Sequence, residues 1–452
     1  MSLRRGSQVM HPRWHRGVVV DTRHKGFDVL VRFGSESVWV RASELRAEAE
    51  PEVPPEQLAR ARAARMDRER RDNPGRLQDL RGLFEALRLG IVPHGAIVDW
   101  TFGRDREVSA IQGWLADQAY GSLVLEGAYG SGKTHLLEVL YAKAIAMGYA
   151  VTRVGFDPTE APAAFPKRVY RRIVREVRVP VGGRVLGFRE ALREAASSDA
   201  VRGHPVLGPA LERIRSGKMT AKSWEALEGR DSGADDVSGL HDYTTTANIY
   251  CNILSGLGNL FVQAHGALGF LVLLDEVETA QTWQYHYQWS RGINLFHGLS
   301  LTANDHPELL DEAVVKRKDG YRGAETGLVY SGHNRVPYLW SLPSYLKVVF
   351  AITPGAFTKR FLDWHPEQPV LTLSTLPSDS VGQLFERLAD AYELVHGLSV
   401  DRPGRDLLLS LARRRSQDGT TRVTIKAMIE ALDFLRFHPG RPAKDLLDEP
   451  AW

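Results

Sequence analysis

Cysteine is all but missing. Of 452 residues only Cys251 carries a thiol, so neither an intramolecular disulfide nor a cysteine metal cluster is available. A reducing compartment suits such a chain. Long hydrophobic runs are missing too: no apolar stretch approaches the roughly 18 residues a membrane span takes. The basic N-terminus leads into no apolar segment of the kind that follows in a secretory leader. These absences predict a cytoplasmic protein with no membrane partner. Excess charge of either sign is also lacking, because 58 Lys and Arg face 55 Asp and Glu, a net +3. Bulk charge therefore does not predict nucleic-acid binding, and any basic surface has to be local. What is present, 43% hydrophobic and 25% charged residues, is ordinary for a globular protein. The length suffices for two or three domains.

The most informative stretch is Leu123 to Leu140. Inside it Gly127-Ala-Tyr129-Gly130-Ser131-Gly132-Lys133-Thr134 fits G-x-x-x-x-G-K-[ST], after an apolar run and before a helical pattern. Strand, glycine loop and helix are the context a P-loop requires. Phosphate oxygens need many donors. Glycines let the backbone N–H groups of the loop, up to His135, converge without obstruction, and the helix adds its positive N-terminal end. Lys133 is expected at the β- and γ-phosphates of ATP and the Thr134 hydroxyl on Mg²⁺. A later run, Gly269-Phe-Leu-Val-Leu-Leu-Asp275-Glu276, has the Walker B form. It predicts Asp275 near the metal and Glu276 polarising the attacking water. Glu278 is an additional carboxylate nearby. Motifs on separate strands predict an α/β fold with a parallel sheet and helical crossovers.

Around this engine the chain reads as four parts. Residues 1–48 hold short β-rich runs between glycine turns, a small antiparallel β-barrel by pattern. His11 to Val19, His-Pro-x-Trp-x-x-Gly-x-Val, resembles Tudor/SH3-like modules. Trp14, Phe33 and Trp39 read as its core. Nine Arg or Lys against four acids over residues 1–46 leave two uses open, docking to DNA or a protein partner, and passive capping. Residues 49–100 read as a helical connector that begins with the breaker Glu50-Pro-Glu-Val-Pro-Pro55. Residues 101–375 form the P-loop core, with a helical insertion at about 182–245 whose 216–239 stretch is polar. Residues 376–452 form a helical lid. In the helix 166–178, Val169, Tyr170, Ile173, Val174 and Val177 share one face. Six cations, Lys167 to Arg178, are left largely outward as the best DNA- or anion-facing candidate of this domain. Residues 283–345, which hold Trp283, Tyr285, His286, Tyr287, Trp289, Arg291 and Asn294, form a polar-aromatic segment suited to core packing or an interface.

Several positions resemble AAA+ proteins. Thr101-Phe-Gly103-Arg104-Asp-Arg-Glu107 resembles their entry motif, which implies that Gly103 and Arg104 frame the adenine pocket. Thr353, at the end of the apolar run 345–352, stands at the sensor-1 position; a capping threonine before Pro354 is the alternative. Arg360, in Lys359-Arg360-Phe361, resembles an arginine finger, which implies a homo-oligomer, with a plain surface arginine as the alternative. Arg422 resembles sensor 2 in the lid.

The order of motifs is more telling than any one of them: Leu87-Arg-x-Gly-x-Val-Pro93, Gly-Arg-x-x-Glu, Gly-x-Tyr-Gly-Ser-Gly-Lys-Thr, a helix with Asn252, then Leu-Leu-Asp-Glu-Val-Glu. Over residues 81 to about 438 this arrangement resembles the BrxC/BrxD-type ATP-binding proteins of bacterial phage-exclusion (BREX) loci, within the AAA+/ORC-like P-loop group. Ala128 departs from the usual Glu before Tyr129, and the N-terminal module is outside the resemblance. The resemblance implies an ATPase working on or near DNA in defence, beside a helicase or another defence-system protein. The competing reading is a nucleotide-dependent switch or scaffold that recruits a partner through the N-terminal barrel.

Overall fold

The computed structural model describes residues 5, 7–23, 27–47, 55–92, 97–157, 162–230, 240–281, 286–415, 420–438 and 441. Several sequence assignments fall wholly or partly outside them: the breaker up to residue 54, the turn at 24–26, residues 93–96, the end of the polar stretch at 231–239, Trp283, Tyr285 and Gly419. Two compact units divide the chain, Met1–Leu77 and Gln78–Trp452.

In the first unit β1 (Gln8–His11), β2 (His15–Arg23), β3 (Asp28–Phe33), β4 (Glu36–Arg41) and β5 (Arg46–Ala47) pair in the order β4-β3-β2-β1-β5. All pairings are antiparallel. Alternation along the strands turns Val9, Val19, Val29, Val31 and Val40 inward. Trp14 and Phe33 pack on this valine core, with His11 stacked on Trp14 at 4.5 Å. Trp39 is not core, contrary to the sequence expectation. It sits on the same strand as Val38 and Val40 but one residue out of phase with them, so its ring faces outward beneath the Arg23 guanidinium, 4.2 Å away. Helix α1 (Pro55–Asp72) follows.

The unit boundary falls inside α2 (Pro74–Leu89). Its apolar stripe Leu80, Leu83 and Phe84 is buried, with Phe84 edge-on to Tyr392 of α12 (Ser378–His396). Arg88 forks onto Asp433 of α14 (Thr421–Phe437) with bonds of 2.7 and 2.6 Å. The end of the stretch read as a connector is therefore tied to the lid.

The second unit is built on a five-stranded parallel sheet. It comprises β6 (Ser122–Glu126), β7 (Ala150–Gly155), β10 (Phe270–Asp275), β14 (Leu346–Ile352) and β15 (Val370–Thr372), in the order β15-β6-β14-β10-β7. Central strands are mostly apolar because both faces are covered. On β10, Phe270, Val272 and Leu274 join one core and Leu271 and Leu273 the other. Crossovers are α3 (Asp105–Ala116) before the sheet, α4 (Lys133–Met147), α5 (Pro166–Glu176), α9 (Ala247–His265), α10 (His286–Ala303) and α11 (Ala356–Trp364). Between α5 and α9 lie the hairpin β8–β9 (Val179–Val181, Arg184–Leu186) and helices α6 (Phe188–Glu194), α7 (Leu207–Arg215) and α8 (Ala221–Leu227). A three-stranded sheet, β11 (Val314–Arg317), β12 (Gly320–Gly323) and β13 (Val329–Tyr330), precedes β14. The stretch read as a lid holds α12, α13 (Arg402–Arg415) and α14. This is the α/β fold of a P-loop NTPase with a small N-terminal β module.

On α5 the five predicted apolar residues are buried, but the cations are not uniformly outward. Lys167 is buried, Arg168 pairs with Asp242 at 3.1 Å, and Arg178 donates to the Val177 carbonyl. An i, i+3 relation places Lys167 beside Tyr170 on the packed side of the helix.

Candidate functional site

The sheet order brings the two motifs together. Inserting β14 between β6 and β10 sets the end of β14 beside the start of the glycine loop, where Gly127 N–H donates to the Ile352 carbonyl at 3.1 Å. Thr353 then lies between the two motif strands. A cavity of about 350 Å³ opens at this end of the sheet. Gly130, Ser131, Gly132, Lys133, Thr134 and His135 line it on one side, and Asp275, Glu276 and Glu278 on another.

The loop is shaped for backbone donation. Gly130 (φ +75°) and Gly132 (φ +104°) occupy the left-handed region, which favours glycine. A Cβ on Gly130 would also run into the Thr420 side chain. Helix α4 begins at Lys133, so its first N–H groups have no partner within the helix. The Ser131 hydroxyl is buried and finds no hydrogen-bond partner among the described residues. Gly127 has no room for a side chain, since Ser131 Oγ would lie 2.6 Å from its Cβ.

Lys133 donates to the Gly127 carbonyl at 2.7 Å, the Ala128 carbonyl at 3.3 Å and Thr353 Oγ1 at 2.9 Å. Burial lowers its pKa, against the opposing pull of Glu278, Asp275 and Glu276. The Thr353 hydroxyl donates a short hydrogen bond to Glu278. The Thr134 hydroxyl bonds the Asp275 carboxylate, whose pKa burial raises and this bond lowers. Arg153 was not singled out from the sequence. It reaches Asp275 at 3.7 Å and Glu138 at 2.7 Å; its only signal is a cation inside an otherwise apolar strand. Glu276 holds φ at +57°, a conformation costing about 1–3 kcal/mol outside glycine. Its N–H is fixed by Asp275 Oδ1 at 3.1 Å. Desolvation first, then Asp275 and Glu278, push its carboxyl above the usual range, partly offset by Arg422 and Lys133.

The donor set fits a Mg-nucleotide. A hydroxyl beside a carboxylate, Thr134 with Asp275, is oxygen chemistry suited to Mg²⁺, and the left-handed glycines and the orphaned Ser131 hydroxyl suit phosphate.

At the far end the cavity turns apolar, with Leu87, Ile91, Val92, Trp100, Phe102 and Ile425. Four of these belong to the stretch read as a connector; the signal was the Leu-Arg-x-Gly-x-Val run that spans the end of α2. Arg104 is buried and its guanidinium is engaged by protein: Glu107 at 2.8 Å, the Ser374 carbonyl at 2.9 Å and the Ser131 carbonyl at 2.8 Å. It braces the loop from behind. Gly103 (φ +64°) is pressed against Ser380 of α12. His135 shares a hydrogen bond with Thr101 Oγ1 at 3.0 Å. Burial, then Arg104, brings its pKa down to about 4, so it is neutral at pH 7. Arg422 enters from the first turn of α14. Its N–H donates to the Gly130 carbonyl at 3.1 Å, and its guanidinium donates to the exposed Tyr129 hydroxyl at 2.6 Å. Arg360 is absent from the cavity lining. Its guanidinium lies 4.3 Å from the Trp289 ring and 5.2 Å from that of Trp364.

Among the described residues no helix is long and apolar enough to cross a membrane. No curated protein matches the chain. A chain of the solved "E. coli MS115-1 HORMA:CdnC:Trip13 complex" aligns over 78% of this chain and 95% of its own at 11% identity, with a TM-score of 0.27. That likeness is too slight to carry an argument. Residues 76–187, which hold the end of α2, the entry motif, the glycine loop and α5, match the family model of the BREX system ATP-binding protein BrxC/D. Over this stretch the chain is similar to the BrxC/D ATP-binding proteins of the BREX system.

Proposed function

We propose that the chain is a Mg²⁺-dependent ATPase that acts on or near DNA in bacterial phage defence, as an oligomer. The observation that carries this reading is the meeting of Lys133, Thr134, Asp275 and Glu276 at one end of the sheet, beneath a lid that reaches the loop through Arg422. The strand inserted between the two motif strands and the helical lid support an AAA+/ORC-like arrangement.

The apolar end of the cavity takes the adenine, and the amides of Gly130 to Thr134 hold the phosphates. Thr134 and Asp275 would hold Mg²⁺, which would supply positive charge to offset that of the phosphates. Lys133 exchanges its loop carbonyls for phosphate oxygens. Glu276 accepts a proton from the water that attacks the γ-phosphorus as the bond to the bridging oxygen breaks, giving ADP and phosphate. Arg360, held away from its own cavity, suits service to a neighbouring copy's site. Phosphate release from ATP tests the reading: turnover is expected with Mg²⁺, lost on chelation and raised by DNA. No hydrolysis by the assembled protein at any Mg²⁺ concentration, with or without DNA, would sink it.

At Thr353 the hydrogen bonding qualifies the expected role. Its only proton goes to Glu278, so it faces Lys133 as an acceptor. Glu278→Ala releases that proton and removes a negative charge beside the phosphates. The expected outcome is a kcat lower by about 10–100-fold, the loss of one charge-assisted hydrogen bond, with KM unchanged or lower. A rise in KM at constant kcat would contradict it.

A further inference from the structure

We infer that the tip of the β11–β12 hairpin enters the major groove of duplex DNA. The inference rests on the reading that the chain works on or near DNA, and it names the element that meets the duplex. Val314 to Gly323 holds four cations, Lys316, Arg317, Lys318 and Arg322, against one acid, Asp319. Arg322 takes Asp319. Lys316, Arg317 and Lys318 are exposed, and among the described residues their side chains make no hydrogen bond or ion pair.

Strand pairing spreads these charges around the tip. Residues directly opposite share a face, and neighbours along a strand alternate. Lys316 and Tyr321 therefore stand on one face, and Arg317 with the pair Val315 and Arg322 on the other. Arg335 adds a cation on the Lys316 side, 3.8 Å over the Tyr321 ring. Lys318 stands in the turn between the strands. The base of the hairpin is fixed: Val314 and Tyr321 pack on the main core. Next to it Glu312 accepts the Thr326 N–H at 2.8 Å and the Tyr330 hydroxyl at 2.7 Å. A tip on a fixed base has little conformational freedom to lose on binding.

A second observation lies behind the tip. Arg291 of α10 and Arg322 each have a buried guanidinium nitrogen with no partner among the described residues. Burial, then Arg322, lowers the Arg291 pKa, against the opposing pull of Asp319. One carboxylate thus answers two guanidinia, and an anion brought to the tip offsets their repulsion.

The placement of the cations decides the form of the polyanion. A single strand or an acidic peptide offers one line of anions, which meets one face. Cations on both faces and in the turn match a wall of anions on each side, which a duplex groove supplies. A sheet with its side chains is about 10 Å thick. The major groove of B-DNA is about 12 Å wide and admits a two-stranded ribbon, whereas the minor groove is about 6 Å wide. The major groove of duplex RNA is too narrow to enter.

Fluorescence anisotropy of the full chain tests this, with a short labelled DNA duplex between about 50 and 200 mM salt. Nucleotide binding is followed in parallel with a fluorescent ATP analogue. Replacing Lys316, Arg317 and Lys318 together by alanine is expected to lower the slope of log K against log salt by about three, roughly one per lost phosphate contact. Affinity should fall about equally for unrelated sequences. The charge-keeping set Lys316→Arg, Arg317→Lys and Lys318→Arg should hold the slope, since the slope counts charges. Methyl green, a major-groove ligand, should displace the protein, and netropsin, a minor-groove ligand, should not. Unchanged ATP-analogue binding shows that the variants are folded. An alanine variant that binds duplex as the wild type does would overturn the hairpin and leave the DNA reading standing. Wild-type protein that binds the analogue but no duplex would overturn the hairpin and the DNA reading together, and leave the nucleotide site. Displacement by netropsin alone would also overturn the hairpin, as would tighter binding of a single strand, duplex RNA or polyglutamate.

Discussion

Glu276→Gln is expected to slow turnover sharply and leave ATP bound. Glutamine keeps the volume and the acceptor oxygen but cannot take a proton from water. General-base catalysis is worth about 10²–10⁴-fold, so kcat should fall by that factor. Affinity should hold or improve, because one of three carboxylates crowding the cavity has lost its charge. The same crowding sets the pH dependence. Desolvation, Asp275 and Glu278 raise the Glu276 carboxyl above its ordinary value. The base is the deprotonated form, so kcat should fall on acidification through that raised pKa. The acid limb therefore lies above the usual carboxylate range and disappears in the residual activity of Glu276→Gln. Gel filtration with labelled ATP, beside a kcat–pH profile, measures both. Full turnover by Glu276→Gln would move the base elsewhere, and Glu278, with one buried oxygen lacking a partner among the described residues, would be the next to replace.

The glycine loop and the acid-ended strand were legible because their chemistry is local. A phosphate cradle needs glycines at fixed offsets, and a buried strand ending in two acids has few other uses. Fold class followed from the two motifs standing on separate strands. What the sequence hid was anything fixed by partners far along the chain. Arg88 looks like one more surface cation until Asp433, 345 residues away, takes it in a fork. That fork ties the supposed connector to the lid and brings Leu87, Ile91 and Val92 to the cavity. Arg104 carries the entry motif, yet its guanidinium faces Glu107 and two carbonyls, which spacing alone does not reveal. Lys167 shows the limit of helical periodicity. Six cations on one helix read as one face, and the packing of α5 buried one and gave others partners. The hydroxyl of Thr353 lies beside Lys133, but the direction of its proton depends on Glu278, a neighbour set by sheet order.

Lys133→Ala should abolish function at the binding step, where Glu276→Gln spares it. Lys133 faces Glu278, Asp275 and Glu276 from the floor of the loop. Without it, triphosphate would enter a cavity holding three carboxylates, with the loop amides and Arg422 opposing them. Losing one such preorganised donor costs about 10²–10³-fold, and the unbalanced carboxylates add repulsion, so ATP affinity should fall by at least that much. The nucleotide-free protein should respond differently. Burial has already lowered the ammonium's pKa, which means that the fold carries a desolvation cost for this charge. Removing it relieves that cost while leaving Gly127 O and Thr353 Oγ1 without their donor. The two effects oppose, so the melting temperature without nucleotide should move little, while the ATP-induced rise in melting temperature is lost. Lys133→Arg separates charge from shape: it keeps the cation but overfills a site closed by Gly127, Ala128 and Thr353, and it should not restore binding. A nucleotide-dependent rise in Lys133→Ala equal to the wild type's would mean that the phosphates lie elsewhere, and the cavity would then have to be read from its apolar end.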